Sequence, residues 1–288
     1  MTVLLSGWTP PSSTLVTDSS LFSDTPARLF NIPDRGVSNQ LPVPSETMIE
    51  QTKTGIEGLD DILNGGIVKN STTLVSGNPG AGKSILCLQY IYNGVEKYDE
   101  KGIYLSFEED ESDLREAAES LGFDNWQDHV DNGNIKVYDK QVLLRENDFT
   151  SSLDILLEEL EDGDYDRLVL DSLAMFELFF ENEREKRTYL LKFTDILSDS
   201  GLTTLMTNEQ GAVFPDTEVG LENYLTDGNI YLIQTPTDTG VNRYVWVAKM
   251  RKQNIETDIY PMEIDHGGID VHQNASAFSM MSEEESPI

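Results

Sequence analysis

Basic residues are scarce in this chain: its 288 residues carry 20 Lys and Arg against 52 Asp and Glu, a formal charge of −32. Affinity for a phosphate backbone comes from Lys and Arg, so the deficit argues against direct nucleic-acid binding. It argues equally against adsorption to an anionic lipid surface. A single cysteine, Cys87, excludes an internal disulfide. On the helix expected after a glycine-rich loop, it reads as a small buried apolar residue. The three histidines, His129, His266 and His272, stand at no metal-ligand spacing. No run of about 18 apolar residues exists, so no membrane span is expected. Residues Met1 to Ser6 lack the basic n-region and long apolar core of a secretory signal, which leaves the cytoplasm as the default expectation.

What is abundant is acid, and it recurs on nearly every expected helix. That distribution suits a protein kept soluble in high salt, where like-charge repulsion is screened. A salt-in halophile is therefore the expected source, with an ordinary acidic protein as the alternative. The length fits one large α/β domain. Residues 1–50 are rich in Ser, Thr and Pro without a clear period, and read as a flexible extension or a partner-binding arm. Residues 51–272 hold the ordered domain. Residues 273–288 end in Glu283-Glu284-Glu285 and read as an acidic disordered tail.

The strongest pattern is Gly77-Asn78-Pro79-Gly80-Ala81-Gly82-Lys83-Ser84, a match to G-x-x-x-x-G-K-[ST]. A β-rich run, Thr72 to Ser76, leads in, and an apolar helical pattern of Ile85, Leu88, Ile91 and Tyr92 follows. Strand, glycine loop and helix in that order make a phosphate cradle, with backbone N–H groups and the helix dipole facing the anion. The sequence thus predicts a triphosphate site formed by Gly77 through Ile85. Lys83 reaches the β- and γ-phosphates, and the Ser84 hydroxyl ligates Mg²⁺.

Strand and helix patterns alternate onward. Thr54 to Ile67 reads as a turn, a short amphipathic helix and a Gly65-Gly66 cap. Gly102 to Phe107 is a strand, and a helix follows from Ser112, its N-cap, to Leu121. Ile135 to Tyr138 is a short strand. Ser151 to Glu161 is a helix with Leu153, Leu156, Leu157 and Leu160 inward. Arg167 to Ser172 is a strand, Glu183 to Ser200 a helix, and Thr203 to Thr207 a strand. The alternation predicts a parallel sheet with helices on both faces. After Asn208 the strands Gly228–Gln234, Arg243–Lys249 and Tyr260–Ile264 follow one another through short turns, an antiparallel extension of the sheet.

Three further sets of residues carry chemistry. Asp171 ends an apolar strand, where it can hold Mg²⁺ beside Ser84; capping the next turn is the alternative. Glu108 and Glu109 end the strand after the first long helix, at the edge parallel strands present to ligands. As strand neighbours they point to opposite faces. The inward one would orient or deprotonate the attacking water, although in so acidic a chain either can be a mere surface acid. Lys249 and Arg251 stand two apart at a strand end and can project from one face. They suit a finger reaching the nucleotide of an adjacent subunit, or a pair neutralising nearby acids.

Taken in order and spacing, these residues resemble the KaiC-like branch of the RecA/RadA ATPases from about Thr52 to Val271. The resemblance is carried by Thr54-Gly55-Ile56-Glu57-Gly58-Leu59-Asp60, Leu63-Asn64-Gly65-Gly66, the phosphate loop and Ser106-Phe107-Glu108-Glu109. Leu170-Asp171-Ser172, Asp227-Gly228-Asn229-Ile230 and Lys249-Met250-Arg251 complete it. It implies a RecA-like P-loop NTPase core, hexameric or similar rings, and ATP with Mg²⁺ bound between subunits. It also implies Glu108 and Glu109 as catalytic carboxylates, with Lys249 and Arg251 acting in trans. The family's clock protein has two tandem ATPase domains, whereas this chain has room for one, as single-domain archaeal relatives do; autokinase activity is not carried over. The expected function is a regulatory ATPase, a homo-oligomer that signals to a protein partner. A RadA-like DNA-dependent ATPase is one alternative. The segment Asn208 to Asp227 opposes it, containing no Lys or Arg but Asp216, Glu218 and Glu222. A nucleotide-binding scaffold with little turnover is the other.

Overall fold

The computed structural model describes residues 49–139, residues 156–209 apart from 157, 159, 161–162, 178–179 and 181, and residues 220–275 apart from 239. The expectations for the N-terminal extension, nearly all of the acidic tail, and Asp216 and Glu218 lie outside these. Of the helix expected over 151–161, Leu156 and Leu160 are described, and both are helical and buried; Leu153 and Leu157 lie outside.

The described chain opens with β1 (Gln51–Thr52), α1 (Leu59–Ile62) and β2 (Ile67–Val68), with β1 and β2 paired antiparallel. The Asp60 carboxylate accepts from the backbone N–H of Thr54 at 2.7 Å and of Gly55 at 3.0 Å, and from the Thr54 hydroxyl at 2.7 Å. These bonds close the turn that the Thr54–Asp60 motif encodes. Gly58 has φ 71°, and a Cβ there would stand 1.9 Å from the Val271 carbonyl oxygen. Only glycine allows the two backbones so close.

The main run is β3 (Thr72–Gly77), α2 (Lys83–Tyr98), β4 (Gly102–Ser106), α3 (Glu111–Ser120), α4 (Trp126–Asp131), β5 (Ile135–Tyr138), β6 (Arg167–Asp171), α5 (Leu173–Glu177), α6 (Glu183–Asp199) and β7 (Thr203–Glu209). Then come α7 (Leu221–Leu225), β8 (Gly228–Thr237), β9 (Gly240–Met250), β10 (Ile259–Asp265) and β11 (Gly268–Val271). Nine strands form one sheet in the order β11-β10-β9-β8-β3-β7-β6-β4-β5. From β8 to β5 every pairing is parallel; β8 to β11 pair antiparallel, as the sequence pattern predicts.

Every residue of β3, β4 and β6 is buried; β4 and β6 show this as apolar runs without alternation, while β3 buries Thr72, Thr73 and Ser76 with Leu74 and Val75. Successive residues feed opposite faces. Val75, Tyr104 and Val169 pack with Leu88 and Ile91 of α2, while Leu74, Ile103 and Leu168 pack with Leu190 and Phe193 of α6. Among the described residues the one buried arginine, Arg167, starts β6. Its guanidinium lies 4.5 Å over the Tyr90 ring, donates to the carbonyls of Tyr90 and Lys53 at 2.7 Å each, and pairs with Glu100. A charge so buried is tolerated because its donors are occupied.

One helix start differs from expectation. Helix α3 begins at Glu111, and its N-cap is Asp110, in extended backbone, rather than Ser112. The Asp139 carboxylate accepts from the Glu111 N–H at 3.3 Å, satisfying a first-turn donor that a later start would leave outside the helix.

Candidate nucleotide site

The carboxyl edge of the parallel strands carries the phosphate loop, Asp171, Glu108 and Glu109. Strand β3 ends at Gly77, the loop turns through Gly80 and Gly82 with φ of 80° and 107°, and α2 starts at Lys83. A Cβ on Gly82 would meet the end of the Ile264 side chain at 2.8 Å, and the residue would have to adopt the left-handed backbone that favours glycine. Gln234, on β8, donates its amide to the Pro79 carbonyl at 2.8 Å and steadies the loop. The Lys83 ammonium, buried, donates to the carbonyls of Gly77 at 3.0 Å and Asn78 at 3.3 Å. A cleft of about 320 Å³ is lined by Gly80, Gly82, Lys83, Ser84 and Ile85, and by Arg243 and Ile264 from β9 and β10.

Arg243 was not among the residues expected at the site. Its Nε is buried and makes no hydrogen bond among the described residues. Together with Ile264 it also borders a second hollow of about 370 Å³, which extends along Tyr244, Pro261, Met262 and Asp265 to His272. The two hollows therefore adjoin at Arg243. In the sequence the only signal was a cation on a strand of a chain poor in cations.

Asp171 lies at the end of β6, 8% exposed. Its Oδ2 accepts from the Tyr104 hydroxyl at 2.8 Å, and its Oδ1 accepts from the Thr207 hydroxyl. Burial first, and then the charge of Asp171, push the Tyr104 phenol well above its ordinary range, so it remains a donor. Both partners are neutral hydroxyls. Asp171 and Ser84 offer hard oxygens of the kind Mg²⁺ takes. Among the described residues there is no cluster of three or more His, Cys, Asp or Glu that could hold a metal by itself. This donor set fits an ion held by few protein ligands and completed by phosphates and water.

Glu108 and Glu109 follow β4 at the same edge, but not as strand residues. The strand stops at Ser106, whose hydroxyl donates to the Glu109 carbonyl at 2.7 Å and accepts from the Glu109 N–H at 3.0 Å. The two glutamates sit in the resulting bend, so the expected two-faced alternation does not apply. Instead the Ser172 hydroxyl, one residue beyond Asp171, donates to Glu108 Oε1.

Lys249 and Arg251 do share a face, as expected, but they stand at the opposite edge of the sheet. Lys249 pairs with Asn229, which pairs with Leu74 of β3; the Arg251 N–H bonds Asp227, whose N–H bonds Thr72. Arg251 is thus level with the start of β3, about 17 Å of strand from the phosphate loop at 3.3 Å per residue. The Lys249 ammonium donates to the carbonyls of Asn223, at 2.9 Å, and Thr226. Burial chiefly, then Arg251, lower its pKa. Arg251 donates to the Tyr224 carbonyl at 3.1 Å and to Asp227 at 3.3 Å, with half its side chain exposed.

Residues 52–276 match the family model described as "ATPase: KaiC". A circadian clock oscillator protein KaiC from Parathermosynechococcus lividus is 30% identical over 77% of this chain, yet the match spans only 42% of that protein. A UPF0273 protein of Pyrococcus furiosus is 30% identical over 78% of this chain and 95% of its own length. The crystal structure of a KaiC-like protein from Pyrococcus horikoshii OT3 aligns with a TM-score of 0.68 at 32% identity, covering 78% of this chain and 99% of that one. With the phosphate loop, Glu108 and Asp171 on one edge of a mostly parallel sheet and the family match running through all of them, the chain belongs to the KaiC ATPase family.

Proposed function

We propose that this chain binds ATP with Mg²⁺ in the cleft beside Lys83, hydrolyses it, and does so as a homo-oligomer whose nucleotide state regulates a protein partner. The observation that supports the oligomer is the separation of Lys249 and Arg251 from their own phosphate loop by the length of β3. A cation that far from its own site meets phosphate only on another copy, as in a closed ring with each site at a subunit boundary. A hexameric ring is the arrangement we favour.

Within one site, the loop N–H groups and the start of α2 receive the phosphates. Lys83 exchanges its two carbonyl partners for phosphate oxygens. Asp171 and Ser84 hold Mg²⁺, which supplies charge neutralisation at the phosphates. Glu108 orients the attacking water and takes its proton, with Glu109 beside it. Arg243 and Ile264 border the path from the phosphates into the adjoining hollow, which accommodates the nucleoside. Arg251 of the adjacent subunit, the more exposed of the two cations, approaches the γ-phosphate, while Lys249 anchors the finger to α7.

No helix among the described residues is long and apolar enough to cross a membrane. The deficit of basic residues favours a protein over a nucleic acid as partner. The test is phosphate release by the purified full chain in molar salt, with and without Mg²⁺ and single-stranded DNA. Mg²⁺-dependent turnover indifferent to DNA is expected. Stimulation by DNA would move the reading to a recombination-type ATPase, and no turnover would leave a scaffold.

A further inference from the structure

The residues proposed to touch nucleotide and metal leave out Tyr104, a fully buried tyrosine in the middle of β4. A phenol in the apolar core, beside Val169 of the neighbouring strand, costs free energy unless its hydroxyl is bonded. A phenylalanine would fill the same space without that cost. Among the described residues the hydroxyl has one partner, Asp171 Oδ2 at 2.8 Å, and the ring lies edge-on against Trp126 with centroids 6.5 Å apart. Thr207, buried within β7, bonds the other oxygen, Oδ1. Asp171 is thereby clamped from both flanking strands, β4 on one side and β7 on the other.

The chemistry of this clamp is specific. A lysine or arginine in either place would spend the carboxylate's charge in an ion pair. Two neutral hydroxyls fix the plane of the carboxylate without pairing it with a cation. Each oxygen has two acceptor sites, so one donor apiece leaves room for a metal-bound water on each. Outer-shell groups that orient a ligand in this way support metal affinity without touching the metal.

We propose that Tyr104, with Thr207 as its counterpart, is a positioning residue that presets the Asp171 carboxylate for the magnesium of the bound nucleotide. The inference rests on the reading of Asp171 as the metal-side carboxylate. It separates from a structural role because it concerns the metal and not the nucleotide.

The experiment is calorimetric titration of ADP into the full chain, with MgCl₂ and again in EDTA at matched ionic strength. The measured quantity is the ratio of the two affinities. Tyr104→Phe keeps the ring and removes the hydroxyl. It is expected to reduce the magnesium-dependent ratio about tenfold, the lower end for loss of an outer-shell partner, with affinity in EDTA unchanged within twofold. Thr207→Val is expected to act in the same direction and serves if the tyrosine variant fails to fold. Asp171→Asn is the control for the underlying reading. If Asp171→Asn lowers the ratio and neither Tyr104→Phe nor Thr207→Val does, the positioning role is overturned while the metal reading stands. If Asp171→Asn leaves the ratio intact, both fall. Equal losses with and without magnesium in Tyr104→Phe would reduce the tyrosine to packing and likewise overturn the inference.

Discussion

Ser172 donates its hydroxyl to the Glu108 carboxylate across the ends of β6 and β4. The bond sets Glu108 beside the strand end that carries Asp171, while Glu109 is held through its backbone by Ser106. Glu108→Gln is therefore expected to lower kcat by about 10²–10⁴, the usual weight of a general base, with nucleotide affinity little changed. Glu109→Gln is expected to cost less than Glu108→Gln. Single-turnover hydrolysis and equilibrium ADP binding, measured on the same preparations, check both.

The Lys83 ammonium is already aimed along its own loop, on the carbonyls of Gly77 and Asn78. Lys83→Ala removes the one cation that the loop supplies to the phosphates. ATP turnover is expected to vanish, and phosphate release indistinguishable from the unaltered chain would contradict the site. The loss of affinity is expected to be larger for ATP than for adenosine, as a competition titration would read.

Arg251 lies a strand length from the phosphate loop that its own chain supplies. Arg251→Ala subunits and Glu108→Gln/Glu109→Gln subunits are each expected to be inactive alone. When co-assembled they should regain part of the activity, because some interfaces then pair an intact finger with intact glutamates. Absence of rescue in co-assembled rings, with mixing verified by mass, would remove the trans role.

The fold was legible where one strong period or one glycine pattern dominated. The buried strands β4 and β6 with Asp171 follow from apolar runs, and β3 with the phosphate loop from a β-rich lead-in to the G-x-x-x-x-G-K-S pattern. Other features were not legible, for identifiable reasons. Asp110 and Ser112 are both good N-caps, and only the bond from Glu111 to Asp139, 28 residues away, decides between them. The Glu108 geometry depends on a hydroxyl, Ser106, that ends the strand early. Tyr104 offered a faint signal, a hydroxyl inside an apolar run, and its partner is 67 residues distant. Arg243 reads as a strand residue until the sheet brings β9 and β10 beside the loop.

Away from the site, Glu96 is bound by the Asn125 amide and by His129, both at 2.8 Å. The Asn125 bond, then that of His129, holds its carboxyl below the ordinary range. A lowered carboxyl pKa stabilises the folded chain above the unfolded value of about 4.3, and that contribution fades as pH falls through the folded value. Glu96→Gln is therefore expected to melt about 1–3 °C lower at pH 7, with the difference closing in acid. Thermal melts at a series of pH values check the sign; a gap that widens in acid would contradict it.

Cys87 lies one turn into α2, fully buried, and burial pushes its thiol well above the ordinary range. The thiolate is the form that reacts with alkylating reagents, so the folded chain is expected to be silent toward maleimides. It is also the only cysteine in the sequence. The native protein is therefore a ready background for spectroscopy. One surface cysteine, such as Thr257→Cys on the exposed approach to β10, would carry a dye or spin label without any native thiol being removed. Resonance energy transfer between labelled copies would then follow association and dissociation in real time as nucleotide is added and consumed.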